Sequence, residues 1–113
     1  MELDQNDIEK KMRLAVQNIE KIGKQYATAK GISYQMQEMR KVILAREMNK
    51  YKGSVASREV SARASERYEE HISGTKEAIE EETRLRAEYE RWRSQYEACR
   101  SLLSLEKAKA RLL

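Results

Sequence analysis

The side chains that could carry chemistry in this sequence are few, and their spacing limits what they can do. His71 is the only histidine and Cys99 the only cysteine. One of each cannot assemble a zinc site from Cys and His ligands. A helical di-iron site needs a glutamate three residues before its histidine, and that position is Tyr68. A Cys–His nucleophile pair would need the two side by side. On one predicted helix they are 28 residues apart, about 42 Å at helical rise. Glu80-Glu81-Glu82 point about 100° apart around a helix, so they cannot converge on one cation. No two of the four glycines lie closer than eight residues, which leaves no phosphate-cradling loop. His71 is therefore read as a surface or rim residue, Cys99 as a small packing residue, and the chain as a non-enzyme without cofactor or metal.

The most distinctive stretch is Arg84-Leu85-Arg86-Ala87-Glu88-Tyr89-Glu90-Arg91-Trp92-Arg93. Trp92 is the sole tryptophan and has arginine on both sides. Tyr89 and Tyr96 fall one helical turn away on its face. Arginine beside aromatic rings suits base stacking and phosphate contact, and the same types dominate protein–protein hot spots. Arg84, Arg86, Arg91, Trp92, Arg93 and Arg100 are thus the candidate contacts with a protein or nucleic-acid partner. The third reading is plain packing, since residues 85, 89, 92, 96 and 99 fall on one heptad stripe. A second basic cluster, Arg40, Lys41, Arg46, Lys50 and Lys52, offers phosphate contact without base readout, or simply cations at a helix C-terminus.

These residues must be positioned by long helices. From Ile8 the apolar residues step by four and three through Met12, Ala15, Ile19, Ile22, Tyr26 and Ala29, a heptad seam. Two steps of three then lead through Ile32 to Met36, Met39 and Ile43, a reset that predicts a bend near Gly31. The spacing predicts one helix over 5–51. Gly53 past its basic end marks a stop, and Ser54 can cap the next helix. Residues 52–65 form a short helical corner, with Ser65 as a second cap. A last helix over 66–111 carries Tyr68, Ile72, Thr75 and Ile79, then, after a reset near residue 82, Leu85, Tyr89, Trp92, Tyr96, Cys99 and Leu103. The expected fold is a single all-α domain over 1–113, a long antiparallel helical hairpin of coiled-coil type. Its thin seam favours a homodimer that completes a helical bundle.

Composition agrees. Of 113 residues, 37% are charged, and proline and phenylalanine are absent, the profile of long helices. No apolar run approaches the roughly 20 residues that span a bilayer, so no membrane contact is expected. Met1 to Asp7 is acidic and polar, unlike a secretory signal, and a lone cysteine fits the cytoplasm. Residues 66–82 hold seven glutamates against two basic residues, whereas 84–113 hold eight basic residues against four glutamates.

Four segments carry a family resemblance: Gly53-Ser54-Val55-Ala56-Ser57-Arg58-Glu59, Tyr68-Glu69-Glu70-His71, Leu85-Arg86-Ala87-Glu88 and Tyr96-Glu97-Ala98-Cys99-Arg100-Ser101. Over residues 45–110 the chain resembles small all-helical proteins from the early regions of tailed bacteriophages, neighbours of recombination genes. Cys99 stands where that pattern has tryptophan. The resemblance implies a phage-encoded accessory protein acting in DNA recombination, replication or host takeover by protein–protein contact. Two alternatives stay open: direct binding of single-stranded nucleic acid through basic helix faces, and a coiled-coil adaptor resembling export-apparatus stalk proteins.

Overall fold

The computed structural model describes residues 4–112, so Met1–Leu3 of the acidic start and Leu113 fall outside it. The described residues form three α-helices and no strand: α1 (Gln5–Met48), α2 (Val55–Arg63) and α3 (Glu66–Arg111). The all-α class expected from composition is what the chain adopts. Asp4 Oδ1 caps α1 by accepting from Asp7 N–H at 2.8 Å. α1 ends at Met48, three residues before the predicted stop. Beyond it Lys50 N–H and Tyr51 N–H donate to Glu47 O and Met48 O, the tight i→i+3 turns by which helices unwind.

The chain divides into two compact units. The one that holds the corner comprises residues 28–83. Gly53 has φ +122°, a conformation that L side chains rarely adopt, and reverses the chain there. Ser54 Oγ then accepts from Ser57 N–H at 3.2 Å to start α2, and Ser65 Oγ accepts from Tyr68 N–H at 3.3 Å to start α3. Both caps sit where the sequence places them. Arg63 closes α2 with a two-nitrogen contact to Glu59 Oε1, at 3.1 and 2.8 Å. That bond and the neighbouring Tyr68 hold its guanidinium further above its ordinary range.

Within this unit the α3 seam does not reset, and the two consecutive steps of three on α1 fall at Ser33, Met36 and Met39 instead of at Ala29 and Ile32. On α1 the inward positions are Ala29, Ser33, Met36, Met39, Ile43 and Glu47; on α3 they are Tyr68, His71, Thr75, Ala78 and Glu82. The step after Ala29 is four, not three, so Ser33 is fully buried and Ile32 is 50% exposed. Ile72 and Ile79, placed in the seam by the sequence reading, are each 39% exposed. Helical period, not side-chain size, fixes which residues face inward. The bulky isoleucines lie one position out of phase with it. Gly31 lies on the open side within an unbroken α1, with nothing within 4 Å of a Cβ placed there.

His71 is drawn in from the predicted rim by this phase. Its Nε2 lies 2.8 Å from Met36 O. A carbonyl only accepts, so Nε2 carries the proton and donates. Gly74 leaves room for Met36, whose Cε would lie 3.1 Å from a Cβ at that position. Glu47 is 3% exposed, and its Oε2 accepts from Lys50 Nζ at 2.8 Å.

The other unit pairs residues 4–27 of the chain with 84–112. Ile8, Met12, Ala15, Ile19, Ile22 and Tyr26 face Leu85, Tyr89, Trp92, Tyr96, Cys99 and Leu103 in unbroken steps of three and four. Gly23 and Tyr26 lie against Tyr89, while Met12 shares a groove with Tyr96 and Leu103. Partner numbers fall along α3 as they rise along α1, so the two segments are antiparallel. Cys99 is buried, as a small packing residue should be.

The observed phase makes a direct prediction. Ser33→Lys should cost roughly 2–4 kcal/mol because it buries a charge. Ile32→Lys, one residue away, should change stability by less than about 0.5 kcal/mol. Urea unfolding followed by circular dichroism separates the two.

Candidate protein-contact surface

All six predicted contact residues lie in the unit formed by residues 4–27 and 84–112. They do not form one patch. Residues two apart on a helix point about 200° apart. Arg84 and Arg91 therefore stand on one side of the α3 seam, and Arg86, Arg93 and Arg100 on the other. Lys107 extends the second row at the same seven-residue spacing.

On the first side, Trp92 is half-buried at a seam position. The Arg91 guanidinium lies 5.3 Å from the centre of its ring, within cation–π range. Trp92, Arg91 and Gln95 of α3 and Lys11 and Leu14 of α1 line a shallow cleft. Leu14 is 52% exposed there. Arg84 Nη1 reaches Glu88 Oε2 at 3.4 Å.

On the second side each arginine leans on an aromatic ring or acid. Arg86 donates through Nε to Tyr26 Oη at 3.2 Å and lies 6.0 Å from that ring's centre. Arg93 lies 5.8 Å from the Tyr89 ring centre. Tyr26 and Tyr89 stack in turn, tilted 37° with centroids 5.9 Å apart. Arg100 is within 3.9 Å of Glu97, both largely exposed, a pair worth little in water. Below this row runs an open groove of about 580 Å³ walled by Met12, Val16, Tyr96 and Leu103. Val16 is 48% exposed.

Gly23 sets these positions. Tyr89 Cε2 would lie 3.3 Å from a Cβ at Gly23, so the bare backbone admits the ring and fixes which α1 residues sit beside which on α3. The second basic cluster lies in the other unit, with all five side chains exposed. Lys50 is bound to Glu47, while Arg40 and Lys41 border a groove that also exposes Ile72 and Ile79. Arg46 sits in the last turn of α1, where a cation complements the helix dipole.

Sequence reasoning missed Lys11, Leu14, Met12 and Val16 as surface-forming partners. The signal that finds them is the pairing of Gly23 with Tyr89, which one chain's periodicity does not contain. Among the described residues, no three His, Cys, Asp or Glu side chains are grouped to hold a metal ion. No helix among them is long and apolar enough to cross a membrane. Comparison with protein-family models, curated proteins and solved structures returned no match to this chain.

Tyr89→Ala should cost about 2–4 kcal/mol through lost packing on Gly23 and Tyr26. Arg84→Ala, removing an exposed ion pair, should cost under about 1 kcal/mol. Thermal unfolding of the two variants checks the contrast.

Proposed function

We propose that this chain is a non-catalytic protein-binding module of the cytoplasm, and that its contact centre is the Trp92 cleft. The observation that supports this reading is Trp92 stacked under Arg91 beside the exposed Leu14, with Lys11 and Gln95 at the edge. Tryptophan and arginine dominate binding energy where a partner desolvates them, and a neighbouring apolar side chain helps exclude water. The resemblance to phage early-region proteins suggests the setting: an accessory role in DNA recombination or replication, through contact with another protein.

The test is retention on the immobilised chain of a single-strand annealing protein, its exonuclease partner and a single-strand-binding protein, at moderate salt. At least one should bind. Leu14→Glu and Arg91→Glu, both at exposed positions, should each weaken that binding at least tenfold without unfolding the chain. Retention of none of the three contradicts the reading.

A second reading is favoured by a separate observation. Arg86, Arg93, Arg100 and Lys107 recur every seven residues, about 10.5 Å apart along one side of α3, with Tyr89 and Tyr96 between them. That row suits the backbone of single-stranded nucleic acid. Binding through it should fall steeply as salt rises, because each phosphate contacted releases counterions. Absence of a gel shift even at low ionic strength removes this reading.

A further inference from the structure

We infer that the Trp92 cleft takes an acidic peptide segment, in which a bulky apolar side chain of the partner is flanked by carboxylates. This rests on the reading of the cleft as a protein contact and names the chemistry of what binds there.

The charge of the cleft is one-sided. Lys11, Leu14, Arg91, Trp92 and Gln95 line it, two cations and no acid. Among the described residues, neither Lys11 nor Arg91 has a carboxylate within ion-pair distance. The acids one turn before them are placed otherwise. Glu88 is held by Arg84 at 3.4 Å, and Asp7 lies in the first turn of α1, where the helix dipole favours an acid. A partner that covers Leu14 and the indole also strips water from the two cations. Only a partner that brings carboxylates leaves neither charge uncompensated.

Geometry favours a peptide over a nucleic-acid strand. The Arg91 guanidinium stands over the indole, 5.3 Å from the ring centre. A stacked guanidinium keeps its N–H edge free, and that fork matches a carboxylate. The same stacking occupies a ring face that a base would need. Leu14, 52% exposed, offers an aliphatic contact that a phosphate backbone does not use. Gln95 adds an amide that can donate to a peptide carbonyl and accept from a peptide N–H. The cleft holds about 360 Å³, near the lower end of the roughly 300–1,000 Å³ of ligand sites. It therefore seats one large side chain and its neighbours, not the length of a helix.

Trp92 is the only tryptophan, so its emission reports on the cleft itself in the full chain. The probe is a synthetic peptide with one phenylalanine between pairs of aspartates, titrated at low salt. A saturable change in Trp92 emission is expected. Affinity should fall at least tenfold when the aspartates become asparagines, and again when the phenylalanine alone becomes alanine. Lys11→Glu and Arg91→Glu should each bind the acidic peptide at least tenfold more weakly. Each should also bind the lysine counterpart of the peptide at least tenfold more tightly than the wild-type chain does, a gain that a folding defect cannot imitate. Lys30→Glu, the same charge change in the other unit, should leave the affinity within about twofold.

No saturable change with the acidic peptide overturns the inference, as does an asparagine peptide that binds equally well. So does an oligothymidylate that displaces the peptide and moves Trp92 emission through Lys11 and Arg91, since the cleft then belongs to nucleic acid. The protein-contact reading is judged separately, by retention of the three proteins. If Leu14→Glu abolishes a retention while the acidic peptide leaves Trp92 unmoved, that reading stands and the inference falls. If none of the three is retained and the acidic peptide binds as expected, the inference stands and those partners fall.

Discussion

Two helices alone can share only a narrow line of contact, and this chain meets that limit by setting large side chains against missing ones. Tyr89 lies on the bare backbone of Gly23, and Met36 lies on that of Gly74. Each glycine sacrifices about 1 kcal/mol of helix propensity, which the close approach of a ring or thioether offsets through dispersion and apolar burial. Ala15, Ala29, Ser33 and Cys99 extend the same economy of size along the seams. The close contacts fix register, and register decides what every outward residue stands next to.

Surface chemistry derives from that register. Seven-residue spacing gathers Arg86, Arg93, Arg100 and Lys107 on one side of α3, and Arg84 and Arg91 on the other. The tyrosines and Trp92 sit between the two rows, half-buried, so their ring faces and edges stay within reach of guanidinium groups. A cation held over a ring has lost part of its rotational freedom before any partner arrives, which lowers the entropy cost of binding. Exposed apolar residues of α1 complete each side: Leu14 beside Trp92, Val16 beside Tyr96. The two sides thus differ in chemistry although both arise from one seam.

Much of the fold was legible because the signals were local. Gly53 and Ser54 mark the corner by backbone conformation and capping alone, and the lack of proline lets α1 and α3 run uninterrupted. Register was less legible. Ile32, Ile72 and Ile79 are the bulkier apolar choices, yet Ser33, His71 and Ala78 take the inward positions. A polar residue becomes acceptable inside when it finds a partner, as His71 does at Met36 O. That partner is 35 residues away and invisible to a local pattern. The candidate contact residues were legible by type, and all six fall in one unit. Their division between two sides needed only helix geometry, but their neighbours on α1 needed the tertiary pairing.

Both surfaces depend on Gly23 facing Tyr89, since that contact sets which α1 residues border each row of arginines. The most direct measurement is the pattern of nuclear Overhauser contacts from the Tyr89 ring in the folded chain. Cross-peaks from that ring to the Gly23 α-protons and to the Tyr26 ring are the predicted result. Contacts from Tyr89 to residues a full helical turn away on α1, with none to Gly23, would contradict the register and the two surfaces built on it.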